Sequence, residues 1–108
     1  MTVKELSTLE NFAPVVLSDP EREISGVYIG DLLSWVMGRA DVGDAWITIM
    51  SNVNILAVAS LADTSCIIIA EDVKLDSEVI ETANLKNINI ISSKMGIYDT
   101  AIALNQVL

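Results

Sequence analysis

Few side chains in this sequence have the chemistry of a reactive site, and their spacing narrows the field further. Histidine is absent, which removes the commonest general base, the usual zinc ligand and every Ser-His or Cys-His nucleophile. The single Cys66 sits in the apolar stretch "SCIIIA", where a thiol is buried and inert. One cysteine makes neither an internal disulfide nor a CxxC metal site. Asp31, Glu71 and Asp72 are candidates to gather round a cation, yet acidic loops on a chain of net charge −9 are ordinarily just solvated.

Two polar clusters that follow apolar runs offer more. Ser51-Asn52-Val53-Asn54 follows "AWITIM", and Ser92-Ser93-Lys94 follows "INIIS". If each opens a helix, each presents unpaired N–H donors and the positive end of a dipole, which together attract anions. Asn52 and Asn54 both donate and accept, and Lys94 supplies the one base. That set suits a neutral polar group or a small anionic metabolite better than a metal, and no cofactor is expected. Asp31, Ser51, Asn52, Asp76, Ser92 and Ser93 are also the residue types that any helix uses as caps. "SSKMG" is not a P-loop, because it lacks the glycine-rich stretch before its lysine.

These clusters need a scaffold, and the apolar pattern supplies one. Residues 4–12 carry Leu6, Leu9 and Phe12 at helical spacing. A brief strand at 13–18 and a polar turn at 19–23 anchored by Pro20 come next. The spacing then predicts a strand at 24–30, a helix at 31–40 capped by Asp31, a strand at 45–50 and a helix from Val53 to about Ala62. A near-continuously apolar strand at 65–70 reads as covered on both faces. Asp76 caps a helix at 77–86, with a strand at 88–92 and a helix over 95–108 to close. Strand–helix alternation at these lengths requires parallel crossovers. The expected fold is α/β, a mostly parallel sheet of about four core strands flanked by helices, with a short N-terminal helix-strand extension. In such a sheet the clusters at 51–54 and 92–94 lie at one carboxyl edge and face each other across a crevice.

The 108 residues make one domain with a real core. Apolar residues are 52% and mean hydropathy is +0.51, but no apolar run reaches the ~18 residues that span a bilayer. "MTVKELSTLE" has no basic, apolar leader, so the protein is expected to be cytoplasmic. Its six basic residues are scattered, so no stripe exists to displace counterions from nucleic acid, and an anionic membrane would repel the chain. The helix 53–62 raises a separate question. Ile55, Val58, Ala59 and Ala62 occupy one side, and Leu56, Ala57 and Leu61 carry the apolar surface round the other. A surface helix should keep a wet face. The expected cover is a second copy of the chain, with Leu56, Ala57 and Leu61 at the interface; the alternative cover is the chain's own segment 3–18.

The segments "EREISGVYIGDLLSWVMGRA" (21–40), "AWITIMSNVNILAVASLADTSCIIIAE" (45–71) and "INIISSKMGIYDTAIAL" (88–104), with the opening "VKELSTLENFAPVVLS" (3–18), resemble the DRTGG domain family. The likeness is to its free-standing, single-domain members from anaerobic, clostridial-type bacteria, often encoded beside iron-hydrogenase genes. The family's Asp-Arg turn is replaced here by Ser51-Asn52-Val53-Asn54, and its Gly-Gly by Ala70-Glu71. The resemblance implies an α/β regulatory module; with the missing histidine and the apolar helix 53–62, the expected role is a non-catalytic regulatory or protein-interaction module, homodimeric, serving an anaerobic redox or acetate-type system through a protein partner, a small anionic metabolite, or both. The alternative is a sensor that takes a nucleotide or phosphorylated metabolite at the strand edge through Ser51, Asn52, Asn54, Ser92, Ser93 and Lys94. A small enzyme using Asp31, Glu71 or Lys94 ranks last, since no paired-carboxylate spacing is legible.

Overall fold

A computed structural model describes residues 1–108. The elements in chain order are α1 (Val3–Ser7), β1 (Phe12–Val16), β2 (Gly26–Ile29), α2 (Leu33–Arg39), β3 (Asp44–Thr48), α3 (Asn54–Ala62), β4 (Cys66–Ile69), α4 (Ser77–Lys86), β5 (Ile90–Ser93) and α5 (Ile97–Val107). One five-stranded sheet has the order β1-β5-β4-β3-β2. Strands β2 to β5 pair in parallel, and β1 joins β5 antiparallel. The α/β fold class expected from the sequence is the one observed.

The strand-to-strand path decides where the helices go. Each step from β2 to β5 moves one place in the same direction, so right-handed crossovers put every connecting helix on one face. Val36 of α2, Ile55, Leu56, Val58 and Ala59 of α3, and Val79 and Ala83 of α4 pack there, against Trp46, Ile67, Ile69 and Ile90. Val3 and Leu6 of α1 and Leu104 of α5 cover the other face, against Ala45, Ile47, Cys66, Ile68 and Ile91. Consecutive residues of β4 therefore point into opposite apolar layers, which is why its sequence is apolar without a break.

Helix α3 is the middle member of its layer, with α2 and α4 on either flank. This placement explains its all-round apolar character. Ile55 and Leu56 are fully buried, and Val58, Ala59 and Ala62 nearly so. Leu56 was expected at an interface with a second copy and instead lies in the core of its own chain. Helical spacing shows that a face is apolar but not whether a neighbouring helix of the same chain covers it. Nor is the cover the segment 3–18, whose α1 lies on the opposite face. Ala57 and Leu61 do face outward, Leu61 at 75% exposure.

Two boundaries also differ from expectation. The first helix stops at Ser7 rather than near residue 12. Its start is a capping box, in which the Glu5 N–H donates to Thr2 Oγ1 and the Thr2 N–H to Glu5 Oε1. Asn11 then takes a left-handed φ of 72°, and Phe12 is drawn into β1 opposite Ser93. At α2 the residue in the cap position is Leu32, which makes no side-chain cap, so Asp31 does not start this helix as expected. Asp76 does stand at the cap position of α4, but without a side-chain hydrogen bond. Helices α3 and α4 end on Asp63 and Asn87, both left-handed, a conformation that Asp and Asn reach through local hydrogen bonding.

Candidate functional site

The carboxyl ends of β2, β3, β4 and β5 form one edge, and the residues singled out from the sequence lie along it. The turn 51–54 follows β3, 70–72 follows β4 and 92–94 ends β5, so β4 separates the two clusters expected to face each other. Ser51, Asn52, Val53 and Asn54 are exposed. Asn52 Oδ1 accepts from the Asn54 N–H at 2.9 Å, an Asx turn that satisfies one free donor at the start of α3. The serine pair splits across the sheet. Ser92 is half-buried on the α4 side and donates to the Ala13 carbonyl at 3.4 Å. Ser93 is fully buried on the α5 side, where its hydroxyl lies 2.8 Å from Thr100 Oγ1 and accepts from the Met95 N–H. Its polar capacity is spent inside the protein. Lys94 is exposed, with only its backbone N–H tied, to the Asn11 carbonyl.

In an open sheet a crevice forms where the outgoing helices diverge to opposite faces. Because α2, α3 and α4 share a face, no divergence occurs between β2, β3 and β4. The one divergence is between β4, which leads to α4, and β5, which leads to α5. Backbone fills it. The Glu71 N–H donates to the Met95 carbonyl at 2.8 Å and the Asp72 N–H to the Ser93 carbonyl at 2.9 Å. Glu71 and Asp72 have φ of 61° and 55°, left-handed values that a Gly-Gly pair adopts without steric cost. The pair stands one residue beyond the Ala70-Glu71 position that the resemblance marks. The Glu71 carboxylate also lies over the start of α5, since a Cβ added at Gly96 would come within 3.2 Å of its Oε1. An intramolecular carboxylate thus stands beside the helix end that a phosphate would seek.

The acidic residues do not converge. Asp31 accepts from the Thr48 hydroxyl at 2.7 Å and the Ile49 N–H at 3.1 Å, which ties the end of β2 to the end of β3. Asp72 pairs with Lys74 at 2.8 Å. That hydrogen bond, with the charges of Lys74 and more weakly Lys94, holds its carboxyl below the usual carboxylate range. No three acidic or thiol groups stand close enough to share a metal ion. Burial pushes the Cys66 thiol from an ordinary 9.0 to about 12, only partly offset by the Ser65 hydroxyl.

Three concavities mark the surface, and none encloses the clusters 51–54 and 92–94 together. A polar one of about 170 Å3 lies at the opposite edge, where Arg22 binds Asp63 at 3.1 Å. One of about 180 Å3 includes Ser92 among apolar neighbours beside α4. The largest, about 570 Å3, is a groove between β2 and α5, lined by Val27, Ile29, Tyr98, Ala101, Ile102 and Leu108 among others. Sequence reading missed this groove. The signal was present, since "GVYI" carries neither a charge nor a proline, but strand order decides whether such a strand is central or at an edge.

Residues 13–107 match the family model described as the DRTGG domain. Among solved structures, the chain is similar to the CBS and DRTGG domains of the regulatory region of Clostridium perfringens pyrophosphatase, solved in complex with the activator diadenosine tetraphosphate. The identity is 17% and the TM-score 0.66, over 92% of this chain and 46% of that one. This chain therefore spans under half the length of that structure, and the likeness is one of fold. Comparison with curated proteins gives no match.

Proposed function

We infer a function for this chain from its family and its surface: it belongs to the DRTGG domains, and it is a non-catalytic regulatory module that works through protein–protein contact, as a homodimer. The observation that carries this reading is where the open surface lies. The strand-end edge, where a metabolite would bind, is closed by the backbone bonds of Glu71 and Asp72, whereas the largest concavity is an uncharged apolar groove. Apolar grooves of this kind fit protein surfaces. The resemblance to the clostridial, hydrogenase-associated members supports a protein partner in an anaerobic redox or acetate-type system, in the cytoplasm. No helix is long and apolar enough to cross a membrane.

A second reading has a specific observation in its favour. The similar pyrophosphatase region was solved with a nucleotide activator, so a nucleotide or phosphorylated metabolite at the strand edge is the alternative. Its ligands would be Ser51, Asn52, Asn54, Ser92 and Lys94 with the N–H groups that open α3; the inward hydroxyl of Ser93 would have to leave Thr100 to join them. A thermal-shift panel of mononucleotides, diadenosine tetraphosphate and acyl phosphates separates the two. The protein-contact reading expects a flat panel. A shift that Asn52→Ala and Lys94→Ala abolish would establish the sensor reading instead.

A further inference from the structure

We propose that the homodimer forms at the free edge of β2, where β2 of one copy pairs antiparallel with β2 of the other and joins two sheets into one of ten strands. The inference rests on the dimeric reading above and names its surface. The two sheet edges contrast. An exposed edge strand invites pairing, and proteins block it with proline, bulges or charge. The β1 edge carries two of these devices, Pro14 and a register irregularity between Pro14 and Val16. The β2 edge, Gly26–Ile29, carries none.

Its backbone is poised for a partner. In a parallel ladder alternate residues bond to the neighbouring strand. The Gly30 N–H donates to the Ile47 carbonyl, so by alternation Tyr28 also faces β3 while Val27 and Ile29 turn their N–H and C=O groups outward. A twofold axis at Tyr28 sets Val27 of one copy opposite Ile29 of the other, and each such pair exchanges two hydrogen bonds. The side chains suit the same operation. Val27 and Ile29, at 38% and 46% exposure, form the floor of the groove beside α5, and Tyr98 and Ile102 form its wall. A twofold axis normal to the sheet places the two grooves side by side on the same face. On the opposite face α2 exposes Trp35 and Met37 at the same end of the sheet.

Charge points to a copy rather than to a foreign partner. Each chain carries −9, so two copies repel wherever acidic surfaces meet. No charged side chain lines the groove, so two copies meet there with less repulsion than across the acidic remainder of the surface. A basic partner would gain nothing there. Residual long-range repulsion makes the dimer tighten as salt screens it.

The test measures molar mass by light scattering across protein concentration and salt, with amide exchange read at Val27 and Ile29. Wild type should be a dimer at tens of micromolar, tighter at high salt, with both amides protected more at high concentration. The double variant Val27→Lys/Ile29→Lys and, on a different element, Ile102→Glu should each be monomeric with an unchanged circular dichroism spectrum. Leu61→Glu on α3 should stay dimeric. A dimer that survives both groove variants but is lost in Leu61→Glu overturns this interface and leaves the dimeric reading standing. A monomeric wild type overturns both.

Discussion

Burial alone sets the chemistry of Cys66. Its thiol has no cation beside it and no exposure, so it stays protonated to about pH 12. Folding favours the protonated form, so the stability it contributes is complete below the ordinary thiol value of 9.0 and is lost as pH rises from there toward 12. Native protein at pH 8 should therefore label with a thiol reagent only as fast as it unfolds, and wild type should lose more stability between pH 9 and 11 than Cys66→Ala does. Rapid native labelling would place β4 at an open edge. Asp31 is read differently once its contacts are seen. The sequence suggests a helix cap, but its carboxylate joins two strand ends through Thr48 and Ile49. Asp31→Ala should cost roughly 1–2 kcal/mol in denaturant unfolding, whereas Asn52→Ala, which loses one exposed Asx turn, should cost under about 1 kcal/mol.

Helix α3 shows where sequence reading succeeds and where it stops. The helix, its bounds near 53–62 and the strands on either side were all legible from apolar spacing, since 3.6- and 2-residue periods are local properties. The identity of its neighbours was not, because strand order and the resulting helix layer are set by long-range pairing. So Leu56 and Leu61 looked alike in sequence yet differ from full burial to 75% exposure. The difference is measurable. Leu56→Ala should destabilise by about 2–5 kcal/mol, and Leu61→Ala should stay within about 0.5 kcal/mol. The same limit applies to the polar clusters. Placement of 51–54 and 92–94 at one strand edge followed from alternation, but the sequence does not say that β4 stands between them. Nor does it reveal that Ser92 and Ser93 point to opposite faces, or that Glu71 lies over the start of α5. Glu71→Gly removes both the left-handed strain and that carboxylate, so it should leave stability within about 1 kcal/mol of wild type while it opens the α5 terminus to anions. Sulfate-induced thermal stabilisation should be larger in this variant than in wild type.

At the largest scale the domain is asymmetric in a way that bears on its role. One sheet edge is closed by Pro14 and an irregular register, and the strand-end crevice is closed by backbone. The other edge is open; its groove beside α5 is lined by no charged side chain, and on the opposite face exposed Trp35 lies under the Arg39 guanidinium at 3.7 Å. With the strand-end crevice closed and one lateral edge free, the proposed role is association through that edge rather than metabolite binding. Native mass spectrometry of the purified protein is the most direct test, because one spectrum reports both assembly and any retained small molecule. The contact-module reading predicts a species at twice 11.7 kDa with no added mass. A species at 11.7 kDa that carries a nucleotide would contradict it.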